Sequence, residues 1–208
     1  RIINDLNYGK SIALVSDAGM PSICDPGEDL IKTARSDGFK IICIPGPSAV
    51  LTALVSSGLP SSKFIFEGFP PKNTSERKNL LSELSRNEKT TILFESPHRF
   101  KKLLNELKEY CGGEREIIIN RELTKKFEEH VGNNIDQVIK YFEDKEVKGE
   151  ITIVIKGIKE IKKKDTYNKN DLRKELCELI DAGMNLPAAS KYLAKKNNLK
   201  KSIVYNIY

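Results

Sequence analysis

A chain of 208 residues, 39% hydrophobic and 31% charged, has room for one or two domains with a genuine core. It has no apolar run of about 18 residues, which excludes a helical membrane span, and no signal-peptide pattern is expected at its start. The net charge of +6 is uneven: residues 1–155 carry 22 Lys+Arg against 23 Asp+Glu, whereas residues 156–208 carry 13 against 6. Such a balance marks either a basic arm that meets a polyanion or a lysine-rich solubilising tail.

Four cysteines, Cys24, Cys43, Cys111 and Cys177, show no C-x-x-C spacing. This argues against a zinc site or disulfide framework and for a reducing, cytoplasmic setting. Cys24 and Cys43 adjoin apolar runs and read as buried thiols.

In chain order, Arg1–Asn7 reads as the end of a helix. Ile12–Val15 is a continuous apolar run, as in a strand covered on both faces, and the loop Ser16–Pro21 follows it. Asp25-Pro26-Gly27-Glu28 predicts a helix start with Asp25 as cap and Pro26 at the first position. Leu30, Ile31 and Ala34 supply the buried stripe and Gly38 the stop. Phe39–Ile44 reads as a second strand, followed by Pro45–Ala49 and a helix over 48–57 that ends at Gly58. Both loops then lie outside the carboxyl ends of parallel strands, where open α/β sheets bind ligands. Neither G-x-G-x-x-G nor G-x-x-x-x-G-K-[ST] occurs, so a ligand here is held without a diphosphate cradle. The same words also fit plain tight turns.

The predicted organisation is a first α/β domain over 1–60, a second over 61–157, a charged linker at 158–169 and a basic helix-turn-helix-like module at 170–208. In the second domain Phe64–Phe66 opens a sheet and leaves through Glu67–Pro71. Lys72, Arg77 and Lys78 precede or begin a helix over 76–85. Thr90–Glu95 is a strand, and Ser96-Pro97 starts a helix with Phe100, Leu103, Leu104 and Leu107 at helical spacing. His98 and Arg99 fall in its first turn, where a cation opposes the helix dipole; this points to a function for Arg99, while His98 reads equally as a capping residue. A strand at 116–120 leads into Arg121–Lys125, then a helix marked by Ile135, Val138, Ile139 and Phe142, and a closing strand at 151–155. Helices are expected at 171–182, 186–196 and 200–208, the first capped by Asp171.

Six ordered strings, Val15–Pro21, Asp25–Gly27, Pro45–Ala49, Phe66–Phe69, Phe94–Arg99 and Arg121–Lys125, resemble the bacterial 16S ribosomal RNA ribose 2′-O-methyltransferases, enzymes of the tetrapyrrole-methylase fold that modify a decoding-centre cytidine. The resemblance runs from Gly9 to the end of the sequence. That family begins with a strand and a T-P-I-G-N-L loop that this sequence lacks, so the chain is expected to be truncated at its amino end, with part of the cofactor site outside it.

The resemblance implies S-adenosylmethionine as cofactor in a cleft between the two α/β domains. It would be touched by Asp17, Ala18, Gly19, Met20, Pro21, Ser48 and Ala49 from the first domain and by Phe66, Glu67 and Gly68 from the second. No metal is implied. Methyl transfer to a ribose hydroxyl is an in-line displacement from an already activated sulfonium, so alignment dominates and one proton must be received. Glu95, Glu122 and His98 are the candidates for that proton, and Arg99 and Arg121 for adjacent phosphates. The catalytic set is therefore Glu95, Arg99 and Glu122, and the RNA-binding set Lys72, Arg77, His98, Arg121, Lys191, Lys195 and Lys196. The implied partners are 16S ribosomal RNA or the small subunit and, by analogy with the fold, a second copy bound through the α/β domains. Two alternatives stand beside this: a tetrapyrrole methylase of cobalamin synthesis, and a noncatalytic RNA-binding protein.

Overall fold

The computed structural model describes residues 1–158, 169–197 and 199–208, and the chain divides into two units, Arg1–Lys159 and Glu160–Tyr208. The first unit is built on a sheet of β1 (Phe64–Phe66), β2 (Thr90–Glu95), β3 (Glu116–Arg121), β4 (Glu129–Asn134) and β5 (Ile151–Ile155), in the order β1-β2-β5-β3-β4. β1 and β2 are parallel, and β5 runs antiparallel to both β2 and β3. β1, β2 and β3 therefore point the same way and end at one edge. Ile151 pairs with both Glu95 and Arg121, so these two residues lie in one row across that edge.

Strand side chains alternate between faces, and each face is covered differently. Leu93, Ile117, Ile119, Ile151, Ile153 and Ile155 pack with Leu81 and Leu84 of α4 (Thr74–Arg86), Phe100, Leu103, Leu104 and Leu107 of α5 (Pro97–Cys111), and Val138 and Phe142 of α6 (Ile135–Phe142). Ile92 and Val154 face the other way and meet Val50, Ala53 and Leu54 of α3 (Ala49–Ser57). The helix before residue 60 thus shares a core with the strands after it.

Chemistry at the helix ends explains the boundaries. Ser48 caps α3, accepting from Leu51 N at 3.4 Å, and Gly58 ends it at φ +67°. Asn73 caps α4 by accepting from Ser75 N, and Pro97 opens α5. The helix α2 (Glu28–Ser36) begins two residues later than the Asp25 cap predicts, with Gly27 at its N-cap. The reason is local: Asp25 accepts instead from Ser16 Oγ at 2.5 Å. Three helices precede the sheet in the chain, and the first of them, α1 (Ile2–Asn7), contacts α2.

Three expectations need correction. Ile12–Val15 and Phe39–Ile44 carry no strand ladder, and Ile12, Leu14, Val15, Ile41, Ile42 and Ile44 are exposed. An apolar run becomes a buried strand only when neighbours pair its backbone and cover both its faces, and neither condition holds for these two. Cys24 and Cys43 are accordingly exposed, not buried. β4, which pairs along its whole length with β3, was not anticipated, because only Val131 in Glu129–Asn134 is a packed apolar residue.

In the second unit, α7 (Lys169–Asp181), α8 (Leu186–Lys196) and α9 (Lys201–Tyr205) enclose Leu172, Leu176, Ala189, Leu193, Ala194 and Val204. Asn185 caps α8 through Ala188 N. Asp171 lies inside the first turn of α7 instead of capping it. Most of the linker expected at 158–169 falls outside the described residues. No described helix is long and apolar enough to cross a membrane.

Candidate active site

The loops Ser16–Pro21 and Pro45–Ala49 lie against one another. A methyl group added at Gly19 would stand 3.6 Å from the Pro47 carbonyl, and one at Gly46 would stand 3.3 Å from Met20 Sδ. Gly19 also sits at φ +86°, a course that side chains resist. The bond from Ser16 to Asp25 ties the start of the first loop to its far end. Asp17, Ala18, Gly19 and Ala49 are exposed, and Met20, Pro21 and Ser48 half-buried, so these loops offer mainly backbone groups to a ligand.

The turn after β1 joins them. Gly68, at φ +63°, leaves its missing side chain 3.1 Å from Cys24 Sγ. Partial burial raises the Cys24 thiol above its ordinary pKa, Asp25 adding to the effect and a hydrogen bond with the Phe69 backbone opposing it. Phe94 N donates to Gly68 O at 2.8 Å, and Glu67 N donates to Ile92 O at 3.0 Å. The Phe94 ring packs edge-on against Phe66 and Phe69, at centroid distances of 4.9 and 5.6 Å. The strand-end turn is therefore rigid on the sheet side, while Glu67 is exposed.

Glu95, at the carboxyl end of β2, is buried between two guanidinium groups. Arg99 Nη2 lies 2.6 Å from Oε1, Arg77 Nη1 lies 3.5 Å from Oε2, and Ser96 N donates to Oε1 at 2.8 Å. Arg77 also donates to Glu106 on α5, and Arg99 Nη1 donates to Pro70 O at 3.2 Å. This arrangement assigns new roles. Both Glu95 oxygens are engaged, Arg77 is buried and occupied, and Arg99 anchors the Glu67–Pro71 turn. The sequence reading missed Glu106, because nothing in its spacing signals a partner 29 residues away.

The turn Arg121–Lys125 leaves β3 at the same edge, and its Leu123 packs on the cluster that includes Phe66 and Phe94. Glu122 at φ +52° and Thr124 at φ +65° both take the left-handed conformation. The Glu122 carboxylate accepts from Glu150 N at 2.8 Å and from Lys125 Nζ at 3.1 Å. The Glu150 bond first, then Lys125, hold it below the usual carboxylate range. Arg121 pairs with Glu129 at 2.8 Å and donates to Lys148 O. Neither side chain is free, so Glu122 is a weak base and Arg121 holds no phosphate without giving up a partner. Lys72 and His98 are exposed, as are Lys191 and Lys195 on α8. Lys196 pairs with Glu175, which raises its pKa.

The arrangement fits a cofactor gripped by loop backbones: glycines where a side chain would crowd its neighbour, in loops whose residues are largely exposed. The fold defines a class. Solved structures of the methyltransferase CobJ and of a cobalt precorrin-4 methyltransferase superpose with TM-scores of 0.57 and 0.56, each over 74% of this chain and 68% and 67% of theirs, at 18% and 17% identity. The chain belongs to the tetrapyrrole (corrin/porphyrin) methylase family, whose signature matches residues 1–139. Among curated relatives, the protein of Synechocystis sp. named ribosomal RNA small subunit methyltransferase I is 37% identical over 99% of this chain and 74% of its own length. Proteins of the same name in Vibrio cholerae and Bacillus subtilis are 38% and 37% identical over 98% and 100% of this chain, and over 70% and 72% of their own lengths.

Proposed function

We propose that this chain methylates the ribose 2′-hydroxyl of a cytidine in small-subunit ribosomal RNA, using S-adenosylmethionine. The observation that supports this reading is the approach of Gly19 to the Pro47 carbonyl and of Gly68 to Cys24, five residues beyond Gly19, in a chain whose curated relatives are named ribosomal RNA small subunit methyltransferase I along nearly its whole length. Bound there, the cofactor would supply a methyl group on a positively charged sulfur. Asp17 to Pro21, Ser48 and Ala49 would hold it on one side, and Phe66, Glu67 and Gly68 on the other.

The chain's own contribution is alignment. Arg99, held by Glu95, fixes the Pro70 carbonyl and with it the turn that faces the cofactor. Glu122 is held below the usual carboxylate range and is a weak base for a hydroxyl proton, while the Glu95 oxygens are engaged by Arg99, Arg77 and Ser96 N. Lys72 and His98 at the sheet edge, and Lys191 and Lys195 in the helical unit, are the RNA contacts that remain accessible. A homodimer through the α/β unit and a cytoplasmic location complete the proposal.

The test is tritiated methyl transfer from S-adenosylmethionine to small-subunit RNA, free and assembled, beside a porphyrinoid acceptor, with alkali-resistant linkages mapped in the RNA. Label in one cytidine ribose is the expected result. Label in the porphyrinoid alone would replace this reading with the cobalamin-type one.

A further inference from the structure

Behind the Arg121–Lys125 turn runs a chain of polar side chains that the proposed reaction does not use. Asn120, buried on β3, donates from Nδ2 to Thr152 O at 3.4 Å, and its Oδ1 accepts from Ser56 Oγ at 3.3 Å. A carbonyl only accepts, so this contact fixes which end of the amide faces the neighbouring strand. The oxygen end lies 2.8 Å from His130 Nδ1, and His130 Nε2 lies 2.7 Å from Glu128 Oε1. Both ring nitrogens therefore face acceptors, and the ring makes both bonds only as the imidazolium. The second oxygen of Glu128 accepts from Thr124 N at 2.8 Å. Thr124 and Glu122 are non-glycine residues in the left-handed region, a course that persists only where surrounding bonds enforce it.

We propose that His130 is a positioning residue for methyl transfer: a clamp that, through Glu128, holds the Arg121–Lys125 turn in place at the carboxyl edge of the sheet. The clamp also reaches the cofactor side. Ser56 belongs to α3, the helix whose N-cap is Ser48 in the second loop, so one helix links that loop to the turn. The importance for catalysis rests on the methyltransferase reading; the clamp itself does not.

Other charged groups around the ring are already engaged. Arg121 pairs with Glu129 across β3 and β4, Tyr141 on α6 donates to Glu129, and Lys125 lies between Glu122 and Glu150. Thr152 and Ser56, from β5 and α3, are neutral. The clamp thus has an acid limit. Glu128 is held below the usual carboxylate range, first by its bond to His130, so its contribution is present above its ordinary titration and is lost as pH falls through the lowered value.

The experiment compares wild type, His130→Gln and His130→Arg by amide hydrogen exchange at Thr124 and by RNA methylation across pH. Gln offers a single donating end and cannot donate to both acceptors; Arg donates at every pH. His130→Gln is expected to speed Thr124 exchange and lower kcat/KM for RNA by about tenfold, the size of one charge-assisted hydrogen bond, with S-adenosylmethionine affinity unchanged. His130→Arg, which can still donate to both acceptors, is expected to keep Thr124 protected as in the wild type. Wild-type exchange at Thr124 in His130→Gln would overturn the clamp. Protection lost in His130→Gln with kcat/KM unchanged would overturn its part in catalysis. A wild-type protein that transfers no methyl to RNA would defeat the methyltransferase reading, and Thr124 exchange would still decide the clamp.

Discussion

Replacing Glu95 by glutamine separates a catalytic carboxylate from a structural one. The amide keeps the shape and can still accept from Ser96 N, but it removes the charge that faces Arg99 at 2.6 Å and Arg77 at 3.5 Å. Removing one partner of a buried ion pair costs about 3–5 kcal/mol, because the remaining charge is left in a poor solvent. The low end applies here. Arg77, 7% exposed, keeps Glu106 at 2.7 Å, and Arg99, 26% exposed, reaches water. About 3 kcal/mol in a chain of this size lowers the thermal midpoint of the α/β unit by about 6–12 °C, read by circular dichroism. At a temperature where the variant is folded, the loosened contact between Arg99 and Pro70 should weaken S-adenosylmethionine binding, while the pH profile of kcat keeps its shape. A midpoint within about 2 °C of wild type, equivalent to less than about 1 kcal/mol, would refute the ion-pair argument. A kcat that falls at an unchanged midpoint would return Glu95 to the role of proton acceptor.

The other predictions concern the turns and the helical unit. Gly19→Ala forces a side chain into φ +86° beside the Pro47 carbonyl, and a strain of about 1–2 kcal/mol should weaken S-adenosylmethionine binding by about tenfold or more in calorimetry. Ser190 Oγ is buried without a hydrogen-bond partner, so Ser190→Ala should stabilise the C-terminal unit by about 1 kcal/mol, seen as slower amide exchange in α8. The lowered Glu122 carboxylate contributes stability above its unfolded pKa of about 4.3 and loses that contribution as pH falls through its folded value. Exchange at the Glu150 amide should therefore rise on acidification in the wild type but show no such step in Glu122→Gln.

Comparison of two apolar runs explains how far the sequence could be read. Ile12–Val15 and Ile151–Ile155 are both short apolar-rich runs, the second broken only by Thr152, yet only the second is a strand. β5 pairs with β2 on one side and β3 on the other, and all five of its residues are buried. The pattern reports a preference for burial, while the ladder depends on what lies alongside. The reverse holds for β4, where Glu-His-Val-Gly-Asn-Asn has little apolar content and is held in the sheet by its register with β3. Helix ends at Ser48, Gly58 and Pro97 were legible because capping is local and acts within four residues, whereas the Asn73 cap went unread and α4 begins at Thr74, two residues before the expected start. Asp25 was misread by the same rule, since a cap and a tie to Ser16 make equal use of a carboxylate.

Arg99 shows why charged site residues were harder to assign than the turns. A cation in the first turn of a helix opposes its dipole, and this alone suggested a catalytic task. The carboxylate four residues earlier, at the end of β2, offsets that cost, and the pair then holds Pro70 O. The same logic runs through Arg121 with Glu129 and Lys125 with Glu122 and Glu150. At this edge of the sheet the charges mostly hold backbone turns in position, which is the task expected where the cofactor brings an already activated methyl group and the protein must supply geometry. The residues that set that geometry are therefore those whose bonds end on main-chain atoms: Arg99 on Pro70 O, Glu122 on Glu150 N, and Glu128, under His130, on Thr124 N.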